Sequence, residues 1–488
     1  MTEHQVRNFI DGKFVAALGG ESFENINPAT GKLIGHCPRS QLEDADAAVL
    51  AAQKAYPSWS RLGFAKRAAI LDKAAALIES RLEEFARAES IDTGKPLSVS
   101  MSVDIPRAAS NLRFFASAVK HDQTGCHPMD DAINYTVRSP VGVFALVTPW
   151  NLPLYLLTWK VAPALVMGNT LVAKPSEMTP TTATLLAEVL TEAGLPAGVF
   201  NLVHGFGAEI GGPLISHPGV RGVSFTGGTA TGKVVGQAAI ADFKKLSLEL
   251  GGKNATIVFA DADLNETLTG ITRASFLNQG QICLCGSRVF IERSVFEAYR
   301  DGLVERALAM RIGDPLDKET QLGALISHAH RDKVASYAKL AVEEGGEVLT
   351  GGKAPQFGTE LDEGAWFQPT VVTGLSITSR CATEEVFGPF VTLHPFDDVS
   401  EVIEAANSVE YGLAASVWTK DLKKAHRVSA ALECGMVWVN TWLHRDLRVP
   451  FGGIKASGLG HEGGEYSLDF YSEAKNICIY TGSQDSDW

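Results

Sequence analysis

Thr170-Leu171-Val172-Ala173-Lys174, the helical stretch from Thr179 to Ala193, and Gly198-Val199-Phe200-Asn201-Leu202-Val203 follow one another as strand, helix and strand. Short apolar runs bounded by turn residues suit strands buried on both faces, and a helix between two of them makes a βαβ unit. Val141 to Thr148 is a similar run just upstream, and Ala255-Thr256-Ile257-Val258-Phe259 restarts the alternation beyond Glu249. The spacing predicts an α/β chain with two regions of parallel sheet. At 488 residues two or three domains are expected, since one core stops growing well before that length.

Outside these regions the signals are local. The first thirty-odd residues alternate apolar and turn residues, as short hairpins do. Ser40-Gln41-Leu42-Glu43 reads as a capping box opening an Ala-rich helix that should end before Pro57. Ala65 to Ala88 has helical periodicity, with Gly94 as a stop. Ile133 to Arg138 and Asn476 to Thr481 read as strands without an obvious local partner. Val141 to Trp159 is apolar enough to suggest a membrane span, but Pro149, Asn151 and Pro153 interrupt it. A buried strand, a turn and a buried helix are expected there instead.

Composition excludes several function classes. With 45% hydrophobic and 20% charged residues the chain is of the soluble globular kind. A net charge of −13 argues against nucleic acid or an anionic membrane as partner, though a local basic pocket stays open. Seven cysteines scattered from Cys37 to Cys478 form no disulfide framework, and twelve histidines show no metal spacing, so no metal is expected. The opening Met1-Thr2-Glu3-His4-Gln5-Val6-Arg7 lacks a basic-then-apolar signal, and a cytoplasmic location is expected.

Two strings carry chemistry. Phe276-Leu277-Asn278-Gln279-Gly280-Gln281-Ile282-Cys283 sets a thiol in a polar, glycine-flanked segment, and Leu248-Glu249-Leu250-Gly251-Gly252-Lys253 sets a carboxylate beside a Gly-Gly turn. A thiol attacks carbonyl carbon well near neutral pH, and a carboxylate can deprotonate it or a water. Together they suggest covalent catalysis on a carbonyl. Cys285 offers a metal or redox partner in a Cys-x-Cys pair, but no second Cys or His cluster lies near, and a structural role is expected.

In order and spacing these strings resemble the active-site signatures of the NAD(P)-dependent aldehyde dehydrogenases. The resemblance continues through Asn27-Pro28-Ala29-Thr30-Gly31, Thr148-Pro149-Trp150-Asn151, Lys174-Pro175-Ser176-Glu177, Phe225-Thr226-Gly227-Gly228, Glu384-Glu385-Val386-Phe387-Gly388-Pro389 and Pro450-Phe451-Gly452-Gly453. It implies a Rossmann-like NAD-binding domain (1–119 and 140–250, with 450–469 returning to it) and an α/β catalytic domain (251–449). It also implies a small β oligomerisation arm (120–139 and 470–488), hence a homodimer or homotetramer. In that likeness Cys283 is the nucleophile, Asn151 and the Cys283 backbone N–H hold the oxyanion, and Glu249 activates water to release the acid. Lys160 carries two readings, a proton relay or a surface lysine.

For the nucleotide, Gly205-Phe206-Gly207 with Gly211 gives GxGxxxG, a loose form of the dinucleotide fingerprint. Gly227-Gly228-Thr229-Ala230-Thr231-Gly232-Lys233 matches a P-loop until Val234 replaces the magnesium-binding hydroxyl, so a nucleoside-triphosphatase reading fails. Its backbone can still meet a pyrophosphate. Lys174 and Glu177 follow a strand end, where a carboxylate suits ribose hydroxyls and repels a 2′-phosphate. NAD is therefore favoured over NADP. The resemblance adds Thr148, Trp150, Phe225, Thr226, Glu385 and Phe387 to the cofactor contacts.

By the same likeness Arg107, Leu152, Tyr155, Trp159, Ile282, Leu284, Arg445 and Phe451 shape the aldehyde tunnel. An arginine among apolar walls costs several kcal/mol unless an anion meets it, and its fork suits a carboxylate. The plain alternative pairs either arginine with Asp104 or Asp446, or turns it to solvent. Asp104-Ile105-Pro106-Arg107 and Trp442-Leu443-His444-Arg445-Asp446-Leu447-Arg448 look most like the branch acting on 2-aminomuconic and related muconic semialdehydes. A broader aldehyde oxidiser, of succinic semialdehyde or retinal for instance, and a non-catalytic member of the fold stay open.

Overall fold

The computed structural model describes residues 5–482. The expected outer limits, residues 1–4 and 483–488, lie outside the described residues. Four strands form the parallel centre of the first sheet: Thr170–Lys174 beside Val143–Val147, then Val220–Thr226 and Lys245–Glu249. Phe200–Leu202 extends it in parallel, and Asn8–Ile10, Lys13–Val15 and Gly458–Leu459 close its edges antiparallel. The strands are apolar throughout because each face meets its own core. Val143, Ala145 and Val172 pack with Ala45, Ala48 and Val49 of the helix Leu42–Arg61. Phe144, Leu146, Leu171 and Ala173 pack with the helices Pro153–Val166 and Thr181–Ala193 on the other side.

The second sheet runs Glu347–Thr350, Thr370–Thr373, Phe390–Phe396, Arg288–Glu292, Ala255–Val258, Ala414–Trp418 and Met436–Val439. All its pairings are parallel except the first. The expected α/β chain with two parallel regions is therefore present.

The apolar stretch after Val141 resolves into a strand, a turn and the helix Pro153–Val166, whose fourteen residues are all buried. No described helix is long and apolar enough to cross a membrane. The two strands without local partners find each other: Ser472–Tyr480 pairs antiparallel with Ala132–Pro140 over nine residues, and Cys126–Pro128 adds a third strand.

Two local expectations are corrected. The helix opened near Ser40 starts after Gln41, with the Gln41 N–H donating to Asp44 Oδ2 at 3.0 Å, and Ser40 instead accepts from Asn8 Nδ2 at 2.7 Å. It runs through Pro57 to Arg61, because Pro57 and Gln53, whose carbonyl loses its partner, are both exposed and water can substitute. The periodic stretch after Ala65 is two helices, Phe64–Ser80 and Leu82–Thr93, and the second ends at Gly94 in the left-handed region (φ 75°).

Candidate active site

In the first sheet all parallel strands end on one edge, where open α/β sheets bind ligands. That edge carries Gly207 beyond Leu202, Glu177 beyond Lys174, Thr148 to Asn151 beyond Val147, and Gly227 beyond Thr226. Glu249 ends the last of these strands. The second sheet presents its opposite edge. Just before its strands come Gly251 to Asn254, Cys283 to Ser287, and Glu385 to Pro389. A cavity of about 230 Å³ is lined from both edges by Trp150, Asn151, Thr226, Gly227, Cys283, Glu385 and Phe387. Lys174, Glu177 and Gly207 are not among its lining residues and lie further along the first sheet. Phe225 lies beneath Gly227, where a Cβ would approach its ring to 2.5 Å.

The polar residues before Cys283 are fasteners. Asn278 and Gln279 adopt left-handed backbone (φ 52° and 56°), and their amides donate to Asn151 O at 3.0 Å and Ala324 O at 2.8 Å. Gly280 also has positive φ, and a Cβ there would lie 2.1 Å from Gly388 O, so no larger residue fits. Around Cys283 itself, Asn254 Nδ2 donates to Cys283 O at 2.7 Å and Cys285 O at 2.9 Å, and Trp442 Nε1 donates to Leu284 O at 2.8 Å. Asn151 is held by its carbonyl, which accepts from Lys95 Nζ at 2.8 Å, while its Nδ2 donates to Gln281 O at 2.9 Å.

Acidic groups crowd the thiol. Burial, then Glu385 and Glu249, push the Cys283 thiol up, so it rests protonated. Glu249 is buried, its Oε1 has no partner, and burial with the nearby charge of Glu462 raises its carboxyl well above the usual range. Lys160 and Arg445 offset part of that rise. The surface reading of Lys160 is overturned: it is fully buried between Glu462 Oε1 at 2.6 Å and Ser224 Oγ at 2.8 Å. Glu385 accepts from the Gly252 N–H at 2.8 Å, and burial raises its carboxyl too.

The two arginines expected at the tunnel, Arg107 and Arg445, lie at a second cleft, of about 880 Å³, which they line with Phe114, Met436 and Trp438. Arg107 lies over the rings of Tyr155 (5.2 Å) and Trp159 (5.8 Å), Arg445 over Trp159 (5.3 Å) and Phe451 (3.9 Å). Arg445 Nη1 donates to Tyr155 Oη at 3.0 Å, and Arg107 Nε to Asn111 Oδ1 at 3.2 Å. Neither arginine has an acid of its own. Asp104 is taken by Lys95, and Asp446 by Arg448 at 2.6 Å. Arg107 Nη2 and Arg445 Nη2 are buried without a partner. Leu152, Ile282 and Leu284 are buried nearby in the same core.

Sequence reasoning missed His330, Lys333, Glu462, Lys95 and Asn254. His330 and Lys333 line the cavity, and His330 Nε2 lies 2.7 Å from the carbonyl of Phe387, itself at φ 63°. Burial lowers His330 to about 4, so it is neutral and can donate there. Only the Gly-Gly turn before Lys253-Asn254 carried any signal; the others sit in strings without a chemical pattern. The P-loop lookalike differs for a clear reason: the helix Thr229–Ile240 has begun before Gly232-Lys233, and Lys233 is exposed. Cys285 is buried, all seven cysteines are free, and no metal-holding cluster occurs among the described residues.

Two opposed sheet edges, a fastened thiol and an unpartnered carboxylate define an aldehyde dehydrogenase, and the chain belongs to the aldehyde dehydrogenase family, whose model matches residues 14–477. Among its relatives, a 2-aminomuconic 6-semialdehyde dehydrogenase of Pseudomonas sp is 48% identical over 99% of both chains. A 2-hydroxymuconic semialdehyde dehydrogenase of Pseudomonas sp. (strain CF600) is also 48% identical, over 97% of this chain and 99% of that one. PnpE from Pseudomonas sp. WBC-3, solved alone and with nicotinamide adenine dinucleotide, superposes with a TM-score of 0.96 at 40% identity over 99% of both chains.

Proposed function

We propose that the chain uses NAD to oxidise a semialdehyde that carries a carboxylate at its far end, of the muconic kind. The carrying observation is that Arg107 and Arg445, both half-buried and without an ion-pair partner among the described residues, each keep one Nη2 buried and unpartnered at a cleft beside the thiol's surroundings. Stacking on aromatic rings offsets about 0.5–2 kcal/mol per cation, less than the several kcal/mol that burying a charge costs. A carboxylate supplies the remainder.

NAD fits the first sheet's edge. Thr148 Oγ1 and Thr226 Oγ1 are buried there without partners, Gly227-Gly228 opens a twelve-residue helix, and Glu177 stands where it would repel a 2′-phosphate. Lys174, Glu177, Gly207, Phe225 and Gly227 would hold the nucleotide, and Trp150, Glu385 and Phe387 the nicotinamide end. Bound there, NAD would supply the hydride acceptor for the reacting carbon. On the protein side, Cys283 attacks the carbonyl as the thiolate, its proton passing to solvent, and the thiohemiacetal becomes a thioester on Cys283 as the hydride departs. Asn151 has a second amide N–H beyond its bond to Gln281, and with the Cys283 backbone N–H it meets the oxyanion. Glu249 then deprotonates the water that releases the acid, and Lys160 with Glu462 offers a route for that proton inward.

The same reading assigns residues 1–119, 140–250 and 450–469 to the NAD-binding domain and 251–449 to the catalytic domain. It makes the three-stranded arm an assembly surface of a homodimer or homotetramer. Ser472–Tyr480 is an unpaired edge with Ile479 and Tyr480 exposed. Free thiols throughout suit the cytoplasm.

The test is NADH formation with a muconic semialdehyde and with an uncharged aldehyde of equal length. The charged substrate should lead in kcat/KM, and Glu249→Ala should give a burst of NADH followed by a weak steady rate. Equal kcat/KM on both aldehydes would refute the carboxylate assignment.

A further inference from the structure

Asn151 lines the same cavity as Cys283, and a buried charge cluster behind it has no part in the chemistry so far described. Lys95 follows Gly94, whose left-handed backbone ends the helix Leu82–Thr93. Its ammonium carries three N–H bonds and meets three acceptors: Asp104, Glu89 Oε1 at 3.4 Å, and the backbone carbonyl of Asn151 at 2.8 Å. Glu89 lies on the helix just ended, Asp104 on the π-helical turn Ser100–Asp104, and all three side chains are buried. Glu89 Oε2 also accepts from the Leu154 N–H at 3.3 Å, so the cluster grips both sides of the turn into the helix Pro153–Val166.

Burying an ammonium is costly, and carboxylates alone would suffice to balance it. Its third bond goes to a neutral carbonyl instead, a charge-assisted bond that holds one orientation more firmly than a neutral donor does. Asn278 Nδ2 is the second donor to that carbonyl, at 3.0 Å, and also reaches Gln281 O at 3.3 Å. Asn151 Nδ2 donates to the same Gln281 O at 2.9 Å, two residues before Cys283. The Asn151 backbone is thus fixed from Lys95 and its side chain from the thiol's own loop, and the direction of its second amide N–H is set from both ends. Burial pushes the Glu89 carboxyl up to about 8 against the pull of Lys95, so near neutral pH it keeps its proton and Asp104 balances the ammonium. Resting on the oxyanion reading of Asn151 above, we propose that Lys95, held by Glu89 and Asp104, is the positioning residue that aims the Asn151 amide at the oxyanion formed when Cys283 attacks.

The test is a double-mutant cycle on the rate of the NADH burst, with a simple uncharged aldehyde at saturating NAD so that the arginines take no part. Asn151→Ala should slow the burst on the order of 10²-fold, as loss of one oxyanion donor implies. Lys95→Met with Asp104→Asn removes the cation without stranding a carboxylate, and should slow the burst on the order of tenfold, as a misaimed donor implies. The triple variant should be about as slow as Asn151→Ala alone, because Lys95 acts through Asn151. Alkylation of Cys283 by iodoacetamide, followed by mass spectrometry, forms no oxyanion and should stay near the parent's rate. Lys95→Gln with Asp104→Asn keeps a neutral donor for the carbonyl; it should lose less than the Met pair, and takes its place in the cycle should that pair fail to fold. A burst like the parent's in the Met pair, losses that multiply in the triple variant, or alkylation slowed as much as the burst would each overturn the inference. A burst like the parent's in Asn151→Ala would instead refute the oxyanion reading itself, so the two failures are told apart.

Discussion

Acids gather around Cys283 and arginines around Trp159, with Arg445 close enough to offset Glu249, and on the proposed reading the contrast orients the substrate. Around Cys283 stand Glu385 and Glu249, whose charges add to burial in raising the thiol, and Glu462 adds to burial in raising Glu249. Around Trp159 stand Arg107 and Arg445, with no carboxylate of their own. Elsewhere buried cations are met by acids or by backbone carbonyls. Lys95 meets Asp104 and Glu89, and Lys160 meets Glu462, whereas Arg288 and Lys253 donate to carbonyls. Arg107 and Arg445 each keep one buried Nη2 without either. On the proposed reading, a substrate with an aldehyde at one end and a carboxylate at the other would be repelled from the wrong orientation at the acidic end and held in the right one at the basic end.

The strongest way to break the acidic end is Cys283→Ser. A serine hydroxyl is far less ionised than a thiol, so turnover should fall on the order of 10⁴-fold or more. The melting temperature and NAD affinity, read by calorimetry, should stay near those of the parent; retained turnover would remove Cys283 from its role. The basic end is tested next by Arg107→Ala and Arg445→Ala. Each should lower kcat/KM for a muconic semialdehyde on the order of 10²-fold, as a desolvated charged contact of about 2–4 kcal/mol implies. An uncharged aldehyde of the same length should hardly respond, and equal losses on both would make the arginines structural. The smallest effect sharpens how the acidic end is tuned. Because Glu249 is raised, it is a base only above its raised pKa, and the rate should decline as pH falls through a value above the usual carboxylate range. Glu462→Gln removes a like charge and leaves Lys160 without its anion, and both changes favour ionised Glu249. The acid limb of the pH–rate profile should therefore move down by about one pH unit. A limb that stays or moves up would detach Glu462 from Glu249.

Much of this was legible in the chain. The βαβ alternation after Val141 reported two buried faces because five-residue apolar runs cannot be satisfied otherwise. The strings around Cys283 and Glu249 announced carbonyl chemistry because a thiol and a carboxylate are the groups it needs. Pro57 misled because a proline's cost depends on whether its stranded carbonyl faces water, which local sequence does not record. Lys160 was ambiguous because burial is decided by what packs over a helix, here all round. His330 and Glu462 left no trace, since their meaning lies in distant partners, the Phe387 carbonyl and Lys160.

Residue types and their order thus determined the fold class, and they singled out Cys283 and Glu249 for carbonyl chemistry and two arginines suited to a carboxylate. Only the tertiary structure decided that Asp104 and Asp446 pair with Lys95 and Arg448, so that Arg107 and Arg445 each keep one Nη2 without a partner. The physical reason is that a charge finds its partner through space. Asp104 stands three residues from Arg107 in the chain, yet its carboxylate is turned to a lysine that packing has buried beside it.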